Sequence, residues 1–393
     1  MLQSINKILS DEKIFYIFFA AFLLNLPLSE ALKETALSIS FFIILYRLTN
    51  NGFDAAKKIV FIGIPLFLFT GISFLSAIHS INRDQALHGF WGDFEALMGW
   101  FVFSGAFLLL PNKIKTLRII LISLVVGIFV SGAIGTYEMI GNQSYPHLRL
   151  MNIGGKNYSA QFLSMTFLFI LGLHGIKNEI RIPQWFLFFS LTMLAILLVL
   201  CHSRTFLVAL PVGSLLMLVF SKKWKSAFNL SMILVGCAVV FLFSPHLRWE
   251  MRTVFHPTQD GSFMDRRQAW MGVIRILKDH PFLGIGPDTF RMANIHKIYH
   301  LPGYASHAHS LYFNLLGEYG FLGLISFFLI LIYWIYRVFF VRHRMEGQNI
   351  LSGMTIGFMA NYLIAGIAHP MWGGSGSLMF VLVMAYILIL DHT

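Results

Sequence analysis

A chain of 393 residues in which 57% are hydrophobic and only 12% charged, with a mean hydropathy of +0.71, lies far from soluble domains, where charged residues run near about 25%. That composition excludes a soluble globular enzyme and describes a polytopic membrane protein. The net charge of +11 calls for no nucleic-acid partner, because most of the basic residues follow the positional rule for membrane-protein loops.

In chain order, apolar runs close to the roughly 20 residues that cross a bilayer recur about twelve times. They fall at residues 14–29, 34–48, 59–78, 92–110, 118–140, 158–174, 183–201, 204–220, 226–244, 309–340, 349–368 and 375–390. Lipid leaves every backbone N–H and C=O to be satisfied within its own segment, so these spans are helices. The expected fold is an all-α integral membrane protein of about twelve transmembrane helices. It forms one polytopic domain over residues 1–393, with a loop at 245–308 inserted between spans nine and ten. The first run follows KILSDEK and ends in LPLSEALKE with no A-x-A-like site, so it is expected to remain as a span. Cys201 and Cys237 fall in or beside spans and read as small apolar residues rather than a disulfide pair.

Alternate connections carry the basic residues unevenly. With the N-terminus inside, 16 of the 29 lysines and arginines fall in cytoplasmic segments, 5 in short outer segments and 8 in the long loop. Cytoplasmic connections retain Lys and Arg, so both termini are expected inside and the 245–308 loop on the periplasmic side. Within that loop, MDRRQAWMGVIRILKDHP spaces Ala269, Trp270, Val273, Ile274 and Leu277 helically, and Pro281 stops the run. An amphipathic helix lying at the outer membrane interface is expected. GIGPDTF behind it reads as a turn, and no P-loop lysine follows.

The next stretch, SHAHSLYFNLLGEYGFLGL, places two histidines ahead of a glycine-bearing span. A helix beginning near His309 would set His309, Phe313, Leu316 or Gly317, Gly320 and Gly323 on one side, where small residues let helices approach closely. An ionisable group there is a functional candidate by default; the plain alternative is an interfacial histidine bonded to a loop. His307 would point about 200 degrees away around the same helix. For that reason, and because no third ligand is marked, the H-x-H pair is not expected to be a zinc site. No D-x-D pair marks the outer loops, so neither metal nor cofactor is expected.

His309-Ser310, nine residues, Gly320, two residues and Gly323 resemble the H-[NSQ]-x9-G-x-x-[GTY] pattern of the bacterial O-antigen ligase and polymerase family. CHSRTFLVAL is similar to the family's SR motif opening a span, with Val208 where a leucine is usual. DRRQAW resembles its loop arginine four residues before an aromatic, a spacing that favours Arg266 over Arg267, and HPFLGIGPDTF resembles the segment that follows. The likeness covers the back half of the chain and reaches the front half through hydropathy alone.

The resemblance implies a GT-C-like membrane transferase that moves a glycan from undecaprenyl diphosphate to the lipid A-core at the periplasmic face of the inner membrane. It implies His309, Arg266 and Arg204 as the catalytic set: the arginines match phosphate oxygens with their planar forks and the imidazole accepts the acceptor hydroxyl's proton. Candidate substrate-binding residues are Arg267, Lys156 and Asn157 of GGKNYSA, and His369 of HPMWGGSGS. Each has a plain reading beside the functional one. Arg204 could snorkel to the interface, Arg266 and Arg267 could solvate the loop helix or meet lipid headgroups, and Lys156 and Asn157 could simply start a helix; His369 falls on the outer side, where it could line the same cavity. A polymerase extending the glycan on its carrier is the alternative function. A glycolipid transporter is disfavoured, because it would place polar groups through the middle of several spans.

Overall fold

The computed structural model describes residue 9 and residues 11–141, 147–174, 182–223, 261–301, 306–341 and 348–389. It is all-helical, with no strand among the described residues. The helices are α1 (Glu12–Asn25), α2 (Glu30–Asn51), α3 (Phe53–His79), α4 (Arg83–Leu109), α5 (Lys113–Gly141), α6 (Lys156–His174), α7 (Gln184–Leu200) and α8 (Arg204–Phe220). They continue with α9 (Gly261–Asp279), α10 (Ala293–Tyr299), α11 (Leu311–Tyr336), α12 (Gln348–Gly366) and α13 (Gly374–Ile389). Each expected span coincides with one of these helices except the ninth, 226–244, which lies outside the described residues, as does 245–260 of the long loop. By length and composition alone, four helices among the described residues are apolar and long enough to cross a membrane: α3, α4, α5, and α11 with its continuation to Val341. Shorter apolar helices are α7, α8 and α13.

Local chemistry sets several of the starts. Asp11 caps α1 by accepting from the Lys13 N–H at 2.8 Å, and Ser29 caps α2 through the Leu32 N–H at 3.4 Å, each meeting an amide that the first turn leaves without a partner. The core is built around α13, where every residue from Ser375 to Ile389 is buried. A helix apolar on all sides can only sit inside, and α13 packs on α4 and α6. The longest helix–helix seam joins α8 to α12. There Gly213 and Gly357 face each other's backbone so closely that a Cβ at Gly213 would stand 2.6 Å from the Gly357 carbonyl oxygen, the close approach small residues permit in a membrane bundle.

Gly317 of α11 stands close to α9, where a Cβ would lie 3.2 Å from Val273, but Gly320 of α11 serves a different purpose from the close helix approach expected of it. The helix is broken at Gly320, whose φ of 66° and ψ of −164° belong to a region essentially reserved for glycine. Into the break inserts the segment Pro281–Gly286. The Ile285 and Gly286 amides donate to the Gly317 and Glu318 carbonyls at 3.0 and 2.9 Å, and the Phe321 and Leu322 amides donate to the Pro281 and Phe282 carbonyls at 2.8 and 3.2 Å. These are the last carbonyls of one half-helix and the first amides of the next, which a break leaves without intrahelical partners and which an apolar surrounding cannot hydrate. From α3, Ser76 donates to the Leu283 and Glu318 carbonyls at 2.5 and 2.8 Å, and Ser80 donates to the Ile285 carbonyl. The first half of the chain thus holds the loop that the second half needs.

The expected amphipathic helix exists as α9, and one apolar face of it meets protein. Ala269, Val273 and Ile276 are fully buried in a small core with Phe290, Ile295 and Tyr299, against which Phe313 and Leu316 of α11 pack. Ile274, expected on that face, is 44% exposed. The first turns of α11 supply the receiving surface.

Candidate functional site

The site is assembled at the end of the bundle where α9, the start of α11 and the turn between α12 and α13 meet. Trp270 does the positioning. Its indole N–H donates to the Ala308 carbonyl at 3.0 Å and its ring stacks on Phe313 at 5.0 Å, which pins the SHAHS segment against α9. One helical turn earlier on α9, Arg266 therefore faces the histidines, whereas its neighbour Arg267 is exposed. The arginine-to-aromatic spacing of four is the spacing of one helix turn.

The histidines do not lie on a helix. α11 begins at Leu311 after the extended Ser310, and His309 adopts a left-handed backbone with φ of 52°. The divergence expected of His307 and His309 therefore does not occur: their rings stand edge to face with centroids 4.3 Å apart, and the His309 amide donates to Nδ1 of His307 at 3.2 Å. His369 joins them from the α12–α13 turn, its ring 6.3 Å from that of His307, 4.5 Å from Tyr158 and 6.0 Å from Phe206.

All three imidazoles have their pKa lowered. Burial lowers the pKa of His309, and Arg266 lowers it further, against an opposing pull from Asp265. Burial, with His309, Arg291 and Arg266 acting in the same direction, brings His307 down to about 3. His369 is pushed well below the usual histidine value by burial first, then by His307, His309 and Arg266. A cation nearby disfavours the imidazolium, and the arginine felt by all three is Arg266.

Arg204 enters from another direction. It opens α8 immediately after Ser203, whose hydroxyl donates to the Asn157 side chain at 2.8 Å, so the starts of α6 and α8 are tied together. On the same side Lys156 Nζ lies 3.5 Å from His147 and His147 lies 3.3 Å from His202. Arg204, Lys156 and Asn157 thus share one basic neighbourhood, which Tyr158 and Phe206 link to His369. Val208, the departure noted above, is 55% exposed, so its exchange for leucine touches nothing in the site.

On the other side of His307 opens a cavity of about 620 Å³ between α2, α4, α6, α11 and the turn before α13. Its walls bring together carboxylates far apart in sequence: Glu30, Glu34, Asp93, Glu95, Asp288 and Glu318. Several are already engaged. Lys33, fully buried, pairs with Glu30 at 2.5 Å and Glu95 at 2.9 Å, and Arg291 pairs with Asp288 at 2.5 Å. Asp93 accepts from Ser73, Tyr319 and Trp372 at 2.5, 3.0 and 2.7 Å. Among the described residues no group of three or more His, Cys, Asp or Glu is arranged to hold a metal ion. Sequence reasoning found no carboxylate cluster because it searched single loops, and this one is contributed by separate helices. It also passed over His147, His202 and Tyr158; His202, a polar residue two positions before Arg204 at the end of an apolar run, was the visible signal.

No curated protein matches the chain. Residues 188–328 match the family model described as O-antigen ligase, a stretch that contains Arg204, Arg266, His307, His309, Gly320 and Gly323.

Proposed function

From a chain whose residues 188–328 carry the O-antigen ligase pattern, and hence a glycosyl transfer of ligase or polymerase type, we propose a finer reading. The protein is an O-antigen ligase of the inner membrane, crossing it about twelve times, with its site facing the periplasm. It transfers a glycan from undecaprenyl diphosphate to a lipid A-core acceptor. The acceptor oxygen forms a bond to the anomeric carbon while the bond from that carbon to the diphosphate oxygen breaks, its electron pair leaving with the diphosphate. The acceptor proton passes to a ring nitrogen of His309. Arg266 and Arg204 hold the diphosphate by their forks, with Lys156 and Asn157 beside them, and His369 shapes the wall.

The observation that supports this reading best is the pinning of Arg266 against His309 by Trp270. It brings a phosphate-binding fork and a neutral imidazole together without using a carboxylate. Arg266→Lys keeps the charge and loses the fork, so transfer from a lipid-linked glycan should fall by about 10²-fold, while Arg267→Lys, at an exposed position, should be near normal. Equal, near-normal transfer by both variants, or loss of wild-type activity on adding EDTA, would remove the diphosphate role. Polymerase activity remains the second reading. A deletion strain separates the two: loss of the lipopolysaccharide ladder with lipid-linked polymer accumulating means ligase, and a single-repeat band means polymerase.

The orientation has its own check. A reporter fused after Lys223 should read cytoplasmic and one near Gln259 periplasmic, because of the basic-residue asymmetry. Exchanged readouts would turn the site to the other side of the membrane.

A further inference from the structure

The cavity beyond His307 is walled mainly by carboxylates, and its one arginine, Arg291, is paired with Asp288, a lining that disfavours phosphate. Its volume of about 620 Å³ falls within the roughly 300–1,000 Å³ of small-molecule sites. Two observations mark it as built for a ligand. Gln161 is 1% exposed and lines the chamber; its side-chain nitrogen donates to the Met371 carbonyl, but its Oε1 has no hydrogen-bond partner among the described residues. A buried acceptor without a donor is destabilising, a cost that a bound hydroxyl or ammonium group would relieve. Independently, the walls combine acceptors with aromatic side chains: Glu34, Glu318 and Gln161 with Trp91, Tyr158 and Trp372.

We propose that this chamber is the subsite for the acceptor saccharide, and that it selects a sugar rich in free hydroxyls or bearing an ammonium group and free of phosphate at the position bound. This rests on the transferase reading above and adds the chemistry of the second substrate. Glu34 and Glu318 accept from sugar hydroxyls, Gln161 Oε1 receives a donor it lacks, and the aromatic faces cover the apolar side of the ring. The site is thereby divided by charge. Phosphate belongs on the Arg266, Arg204 and Lys156 side and the unphosphorylated sugar on the carboxylate side; His307, which lines the chamber, and His309, its ring 4.3 Å away, stand at the seam where the two substrates must react.

The test is saturation-transfer NMR on the full-length protein in detergent, with methyl glucoside, methyl glucosaminide and glucose 6-phosphate as probes, in EDTA. The two methyl glycosides should bind and the phosphate ester should not. Glu34→Gln, at the chamber's half-buried mouth where folding is not at stake, and Gln161→Leu should each weaken binding about tenfold or more. Arg266→Lys should leave glycoside binding unchanged even though it impairs transfer. No glycoside binding by the wild type, binding that EDTA abolishes, equal binding of the phosphate ester, or binding unchanged in both Glu34→Gln and Gln161→Leu overturns the proposal. Because the readout is binding, it can fail while the Arg266 test succeeds, or the reverse.

Discussion

Replacing His309 with alanine should lower glycan transfer by about 10²–10⁴-fold, the usual contribution of a positioned general base, equivalent to roughly 3–5 kcal/mol of barrier. The protein should still reach the membrane, since the residue stands in a loop whose backbone is held by Trp270 at Ala308. His307→Ala should be milder and should act indirectly, through loss of the acceptor that His307 Nδ1 offers the His309 amide. His307→Asn restores a short-range acceptor and should recover part of that loss. The pH profile adds a signature that packing damage would not give. Burial and Arg266 lower the His309 pKa, so the acid limb of kcat/KM should lie below the ordinary histidine value of about 6.5. Removing the cation lets the imidazolium form more readily, so residual activity of Arg266→Gln should show that limb moved to higher pH. Transfer by His309→Ala at wild-type rate, or an acid limb indifferent to Arg266, would return His309 to a structural role.

Gly320→Ala should cost the protein its fold around the site. The backbone there has φ of 66° and ψ of −164°, a conformation that strains any other residue by about 1–3 kcal/mol. A Cβ would also meet the Phe282 carbonyl group and stand 2.6 Å from the Leu283 nitrogen. Neither neighbour can give way without breaking the hydrogen bonds that close the interrupted helix, so Pro281–Gly286 would have to withdraw. Thermal unfolding in detergent should show a lowered Tm, and transfer should be lost with it. Gly323→Ala is a useful companion: its own Cβ would collide with Tyr319 at ordinary helical backbone angles, so a loss there reports packing alone. A Gly320→Ala protein with wild-type melting and activity would mean that the insertion does not exist in the membrane.

The sequence by itself determined the helical membrane class and the limits of most helices, because the demand that lipid makes on backbone polar groups is met within each segment and leaves its mark as local hydropathy. It also set Arg266 and Trp270 on one side of α9, because a spacing of four residues is one helix turn. It misjudged what surrounded those residues. His307 and His309 were placed on a helix that begins only at Leu311, because a positive φ at a histidine is not written in composition or periodicity. Gly320 looked like a helix-packing residue, and its use as a break depends on Pro281–Gly286 being available to satisfy the freed groups, a pairing between segments that only the folded chain brings together. The same holds for the chamber of carboxylates. Glu30, Asp93, Asp288 and Glu318 are separated by up to 288 positions, and each on its own reads as an isolated charge. What gathers them is the packing of α2, α4 and α11 with the inserted loop, and the buried Lys33, Ser73, Tyr319 and Trp372 that offset the cost of bringing such groups out of water.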